Sequence, residues 1–355
     1  MNQRTKGVKR NKKMGFVAEQ LIPWHKTSGR HDLPWQNRCD PYAIWLSEIM
    51  LQQTQVNTVI PYYRRFIKKF PNVHSLAKAS IEDVLTCWSG LGYYSRARNL
   101  HRAARIVVWE HRGIFPQSRE ALQQLPGIGR TTAAAIVVFA LGKRDAILDG
   151  NVKRVFARFY GVDGYPGETG TSKQLWQLAE ESLPHNNNPE DTKTYTQALM
   201  DLGSTVCVRS KPLCIHCPLQ KRCIAFKQNR VTQLPVSRPK KRLAEKETVF
   251  LIYRNERKLL LEKRPEYGIW GGLWCFPENE LHHGRLVLDS DIQPVVLPQL
   301  WHTFTHFKLL IRPRLQEVRI RNFASPALIW KSPDEVLTLA IPAPVKKLIQ
   351  QHFIF

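Results

Sequence analysis

LPGIGRTTAAAI, from Leu125 to Ile136, decides how this chain is read. Two glycines two residues apart open into small residues that suit a helix. A glycine turn feeding a helix N-terminus offers unpaired backbone N–H groups and the positive end of the helix dipole, which together attract an anion. An ATP-type phosphate loop is excluded, because no G-x4-G-K-[ST] pattern occurs. A plain turn between two helices is the simpler alternative. The stretch also places Thr131 and Thr132 after Arg130, where a reactive lysine could have stood.

The charge suggests which anion. Of 355 residues, 53 are Lys or Arg and 29 are Asp or Glu, a formal net charge of +24. Such an excess fits a polyanionic partner, nucleic acid above all. No run of eighteen apolar residues exists, so no membrane helix is expected. The opening MNQRTKGVKRNKKM is basic, but no apolar segment follows it, so it does not read as a secretory signal. It reads as a basic N-terminal arm over 1–14, and the chain as a cytoplasmic, monomeric protein. Without secretion the seven cysteines are not expected to form a disulfide framework.

Residues 15–225 read as helical. Ser80 and Asp83 fit a capping box before VLTCW, and DPYAIWLSEIMLQQTQV (residues 40–56) reads as one helix. SRARNLHRAARIVVWEHRG, SKQLWQLAEESLP and NPEDTKTYTQALMDLG read as further helices. Between Val208 and Leu243 there are ten Lys or Arg and no acid, and this stretch includes the proline-bearing LPVSRPKKR; 226–246 reads as a basic linker. Beyond it the pattern changes. TVFLIYR and KLLLEKR flank NER as a β-hairpin. LVLDSD, HFKLLIRPRLQEVRI and PALIWKS follow as strand-like runs, and a helical end surrounds the prolines of 333–353. A smaller α+β domain over 247–355 thus follows an all-α one.

Cys207, Cys214, Cys217 and Cys223 are spaced C-x6-C-x2-C-x5-C. Four thiolates that close in sequence can wrap one metal centre. Structural zinc usually takes paired C-x2-C knuckles, and only one such pair occurs, so an iron–sulfur cluster fits better, with zinc as the alternative. The basic residues between the cysteines point the loop toward phosphate. Cys39, Cys87 and Cys275 have no such spacing and read as packing residues.

Two carboxylates stand in apolar company. Glu48 shares a helical face with Ile44 and Leu51, where desolvation raises its pKa and suits it to general acid catalysis. On that segment alone, a buried structural glutamate paired with an arginine is the better reading. Asp149 follows three apolar residues and opens a helix near Asn151. It could be a mere N-cap, held ionised by backbone N–H bonds. An ionised Asp opposite a protonated Glu is also the pairing that splits glycosidic bonds through an oxocarbenium-like state.

SEIMLQQTQV (47–56), GLGYYSRARNL (90–100), LPGIGRTTAAAI, LDGNVKRV (148–155) and the cysteine loop, in that order, resemble the helix-hairpin-helix DNA glycosylase superfamily. IWGGLW (269–274) and HTFTHF (302–307) narrow the resemblance to its adenine-removing branch. It implies an all-α helix-hairpin-helix glycosylase domain with a 4Fe-4S loop at 207–223, followed by a Nudix-like domain. It implies that Glu48 protonates adenine, that Asp149 stabilises the sugar cation and that Asn151 orients them. Gln53 and Tyr93 would intrude into the duplex where adenine is flipped out, with Gln52, Arg96, Gly127, Gly129 and Thr131 as further DNA contacts. The four cysteines would hold a 4Fe-4S cluster with a structural and DNA-positioning role. Strand-nicking relatives carry a lysine where Thr131 stands, and its amine forms a Schiff base with the sugar. Thr131 therefore implies base removal alone. The partner implied is double-stranded DNA with adenine opposite 8-oxoguanine or guanine, and the Nudix-like domain would read 8-oxoguanine. Its reading loop is typically Phe-Ser-His and here is Phe304-Thr305-His306, which keeps the hydroxyl and adds a methyl. The acidic metal-binding helix of pyrophosphatases is absent from this sequence. An endonuclease III-like lyase and a non-catalytic iron–sulfur DNA-binding protein are the competing readings.

Overall fold

A computed structural model of the chain describes residues 3–36, 38–238, 242–279, 286–288, 293–320 and 326–354. Of the basic stretch 1–14, the backbone is described from Gln3 and the side chains lie outside the described residues. The first helix, α1 (Gln3–Ser28), crosses the border expected after residue 14. Then come α2 (Pro41–Leu51), α3 (Val56–Lys69), α4 (Val73–Lys78), α5 (Ile81–Trp88) and α6 (Ser95–Trp109). They are followed by α7 (Arg119–Leu122), α8 (Arg130–Phe139), α9 (Gly150–Tyr160), α10 (Thr169–Glu181), α11 (Pro189–Asp201) and α12 (Ile224–Lys227).

Short polar side chains start these helices by accepting otherwise unpaired N–H groups. Asp40 accepts from Tyr42 and Ala43, Ser118 from Ala121, Asp149 from Val152 and Asn188 from Glu190. Ser80 accepts from the Asp83 N–H, and its own hydroxyl donates to the Asp83 carboxylate.

The chain packs as two compact units, Met1–Ala77 with Arg102–Pro239, and Lys78–His101 with Lys240–Phe355. The division after Pro239 falls inside the stretch read as a linker. The assignment of Lys78–His101 to the second unit has no counterpart in the sequence reading. The core of the first unit centres on α9, whose Val152, Val155, Phe156 and Phe159 meet Leu21, Leu175, Tyr195 and Leu199 in one buried cluster. Each such side chain stabilises the fold by roughly 1.5–3 kcal/mol.

The second unit is built on an eight-stranded sheet. Its strands are β1 (Ala244–Asn255), β2 (Lys258–Lys263), β3 (Trp274–Cys275), β4 (Leu286–Leu288), β5 (Val295–Val296), β6 (Leu300–Thr303), β7 (Phe307–Ile320) and β8 (Leu328–Lys331). The expected hairpin exists, but β1 and β2 pair only beside its turn, Arg254 with Leu259 and Asn255 with Lys258. Most of β1 instead lies parallel to β7, from Ala244 opposite Phe307 to Arg254 opposite Glu317. Of LVLDSD, β4 covers the first three residues and the rest lies outside the described residues. The helical end splits at its prolines into α13 (Pro333–Thr338) and α14 (Ala343–His352).

Candidate active site and nucleic-acid interface

α2 positions Glu48. Asp40 and Pro41 start the helix, and Tyr42, Ala43, Ile44, Trp45, Leu46, Ser47, Ile49 and Met50 are all buried, so its rotation is fixed. The helix stops at Leu51, five residues before the expected end. Gln53 takes a left-handed φ of 58°, which turns the chain out of the helix and leaves its side chain exposed. Gln52 turns inward, and its amide donates to the Thr132 hydroxyl on α8 at 3.4 Å.

α9 positions Asp149. Ala146, Ile147 and Leu148 are buried and deliver Asp149 to the N-cap, where its carboxylate accepts the Val152 N–H at 2.7 Å. Glu48, Gln53, Asp149 and Asn151 share the wall of one cleft of about 1300 Å³. Glu48 keeps only its cleft-facing edge open; burial, aided by the Asp149 charge, pushes its pKa up to about 8. Burial raises Asp149 too, but the N–H groups of Val152 and Asn151 and the charges of Arg154 and Lys153 pull it back. Like charges so placed cannot both ionise freely, so the pair holds a proton near neutrality, and these N–H groups and cations leave it on Glu48.

Arg154 was not foreseen. One turn along α9, its guanidinium donates to Asn151 Oδ1 at 2.8 Å, to the Gly203 carbonyl and to the Cys207 carbonyl at 2.7 Å. It thereby ties the Asn151 amide to the first cysteine. The three-residue spacing from Asn151 was visible in the sequence; the carbonyl partners some fifty residues away were not. Across the cleft, buried Asp201 accepts from the Arg30 backbone N–H and from its guanidinium Nε, each at 2.9 Å, and fixes the end of α1 to α11.

The opening stretch forms the α7–α8 hairpin. Gly127 has a φ of 81°, a left-handed turn that L side chains resist. Gly129, the N-cap of α8, is extended, with nothing within 4 Å of where a Cβ would stand, so the helix N-terminus is open to an approaching phosphate. Thr131 is half-buried in the first turn of α8. Gly127, Gly129 and Thr131 do not wall the cleft that holds Glu48.

In the second unit, Tyr93 also takes a left-handed φ, 49°, and stays 46% exposed. Such backbone in a non-glycine residue is uncommon and is held only by its surroundings. Arg96 provides them. Arg96, expected as a DNA contact, is buried, and its guanidinium donates to the Leu91 carbonyl at 3.3 Å and the Gly92 carbonyl at 3.1 Å. Burial lowers its pKa to about 10, still well above neutral pH. Phe304 is half-buried, while Thr305 and His306 are exposed between β6 and β7.

Cys207, Cys214, Cys217 and Cys223 line one small apolar void with Val155, Phe159 and Leu202. Burial raises the thiols of Cys214 and Cys223 and pushes Cys217 up to about 12. Buried Arg158 staples the loop: it donates to the Val208 carbonyl at 2.7 Å, the Arg209 carbonyl at 3.1 Å and Cys207 Sγ at 3.4 Å. Among the described residues, no three His, Cys, Asp or Glu side chains are placed to hold a single metal ion. An all-thiol set around a shared void has the donor chemistry of an iron–sulfur cluster.

No helix among the described residues is long and apolar enough to cross a membrane. Residues 46–181 match the HhH-GPD superfamily of base excision DNA repair proteins, and residues 248–351 match the NUDIX domain. The adenine DNA glycosylase of Buchnera aphidicola subsp. Acyrthosiphon pisum is 38% identical, over 94% of this chain and 97% of the relative. That of Homo sapiens is 33% identical, over 94% of this chain and 73% of the relative. A solved thermostable thymine-DNA glycosylase, 31% identical, superimposes with a TM-score of 0.55 over 61% of this chain and 98% of its own. With both domains matched in order and the likeness running nearly end to end, this chain belongs to the adenine DNA glycosylase (MutY) family of base excision repair.

Proposed function

We propose that this glycosylase removes adenine opposite 8-oxoguanine or guanine and leaves an abasic site without cutting the strand. The observation that carries the chemistry is that Glu48, enclosed and with its pKa raised, shares one cleft with Asp149, whose carboxylate accepts the Val152 N–H. Glu48 donates its proton to a ring nitrogen of the flipped adenine, which makes the base a competent leaving group. The N-glycosidic bond breaks with its electron pair leaving on adenine. Asp149 stabilises the oxocarbenium-like sugar, and water completes the replacement. Asn151, held by Arg154, orients this pair. Thr131 has no amine to form a Schiff base, which supports base removal without strand cleavage.

Gln53 and Tyr93 are the residues that enter the stack, Gly127 and Gly129 meet a phosphate, and Thr305 and His306 meet the base opposite adenine. Cys207, Cys214, Cys217 and Cys223 hold a 4Fe-4S cluster, which when bound cross-links the loop and supplies no hydrolytic chemistry.

A duplex holding one adenine opposite 8-oxoguanine tests the reading. Strand breakage at that adenine only after alkali is the expected result. Breakage without alkali would make the protein a lyase, and no breakage at all would remove the catalytic reading.

A further inference from the structure

We infer that Arg98 is a positioning residue for mispair discrimination, locking the Tyr93 loop to the Phe304–His306 hairpin. The inference rests on the proposal that this hairpin meets the base opposite adenine.

The hairpin tip is tightly closed. Thr303 pairs with Lys308 across β6 and β7, and the Phe304 N–H donates to the Phe307 carbonyl at 2.9 Å, so only Thr305 and His306 project. Behind the tip Phe304 does not point outward. It stacks on Phe307 at 4.6 Å between ring centroids, meets His302 edge-on at 4.6 Å and meets Trp270 at 5.6 Å. Aromatic pairs at these separations fix each other's orientation. The hairpin's aim therefore depends on Trp270.

Trp270 is itself held by its backbone. Its φ is 55°, a conformation tryptophan adopts only when its neighbours impose it. The Leu273 N–H donates to the Trp270 carbonyl at 3.0 Å, and the Gly272 N–H donates to the Pro265 carbonyl at 3.0 Å. At Gly271 a Cβ would fall 2.3 Å from the Glu266 carbonyl oxygen, so the loop closes on itself there.

Arg98 Nη1 donates to the Gly271 carbonyl at 2.6 Å, a short charge-assisted bond to the residue after Trp270. Arg98 lies on α6, five residues after Tyr93. A second tie lies beside it: the Tyr94 hydroxyl donates to the Ile341 carbonyl at 3.2 Å and accepts the Gly90 N–H at 3.3 Å. One continuous path thus runs from Tyr93 through α6, Arg98, Gly271, Trp270 and Phe304 to the exposed Thr305 and His306, all within one compact unit. The intruding ring and the reading tip move together, so binding the correct opposite base settles the Tyr93 loop.

Single-turnover excision by the full-length protein, measured opposite 8-oxoguanine and opposite guanine, tests this. Arg98→Ala is expected to cut the ratio of the two rates about tenfold, a usual size for coupling between sites, by slowing excision opposite 8-oxoguanine far more than excision opposite guanine. Arg98→Lys, which can still reach one carbonyl, is expected to recover part of the ratio. His306→Ala is the reference, and Arg98→Ala combined with His306→Ala is expected to discriminate no worse than His306→Ala alone. A normal ratio in Arg98→Ala, with the ratio lost in His306→Ala, overturns the role of Arg98 and leaves the hairpin reading standing. A normal ratio in both removes the hairpin reading, and this inference with it. An equal fall of both rates in Arg98→Ala, unrepaired by Arg98→Lys, makes Arg98 a folding residue only and overturns the inference.

Discussion

Glu48 illustrates how one residue's environment becomes a rate. Its side chain differs from any surface glutamate only in being enclosed and in facing Asp149. With its pKa at about 8, the catalytic proton is present below that value and is lost as pH rises through it. Single-turnover excision is therefore expected to hold near neutral pH and to fall about tenfold per unit above pH 8; a flat profile to pH 10 would remove Glu48 as the acid. The same shift sets a stability sign. Between the ordinary carboxylate range and pH 8 the folded chain holds a proton that the unfolded chain has released, so this carboxyl costs stability progressively as pH rises across that window. Glu48→Gln is expected to slow excision by at least roughly 100-fold to 10,000-fold with mispair affinity kept, and to raise Tm more at pH 8.5 than at pH 5. A variant that excises at the normal rate, or melts lower at pH 8.5, contradicts the assignment.

At the scale of elements, the α7–α8 hairpin and the cysteine loop each make a claim that can be checked. Thr131 sits in the first turn of α8, outside the wall of the cleft. A lysine is long enough to reach beyond its own turn, and nearby cations would lower its pKa. Thr131→Lys is expected to gain strand nicking without alkali and to be trapped on DNA by borohydride. A variant that binds the mispair and releases adenine, yet gives no trapped complex, would show that α8 does not address the sugar. In the loop, buried Arg158 and the half-buried thiols form one assembly around a shared void. Cys214→Ser is expected to lower bound iron and DNA affinity together. Stoichiometric zinc in the freshly purified wild-type protein would replace the cluster by a single ion.

For the whole molecule, the two units do not follow the chain's linear division. Residues 78–101 pack with 240–355: besides the ties through Tyr94 and Arg98, Lys263 pairs with Glu82, and Leu85 lies 3.4 Å from where a Cβ on Gly272 would stand. Truncation after Pro239 is expected to leave a folded enzyme, since the thymine-DNA glycosylase fold spans only 61% of this chain. It is also expected to melt several degrees lower than the full chain, because residues 78–101 lose these partners. Its excision opposite 8-oxoguanine is expected to drop toward its rate opposite guanine. Unchanged discrimination would mean that reading does not reside in the second domain.

Much was legible in the residues alone, because local chemistry wrote it. The cap at Asp149 announced its helix, the cysteine spacing announced that the four thiols gather around one void, and the apolar row around Glu48 announced a desolvated carboxyl. What is set by contacts distant in sequence was not legible. α2 ends at Leu51, where Gln53 takes a left-handed φ and Gln52 reaches Thr132 on α8, eighty residues away. The burial of Arg96 depends on loop carbonyls that only the folded turn presents. β1 runs parallel to β7 over most of its length and meets its hairpin partner only beside the turn, a pairing between segments some sixty residues apart. Residues 78–101 join the second unit through side chains that touch backbone carbonyls some 170 to 250 residues away, and a carbonyl carries no side-chain identity for a sequence to display.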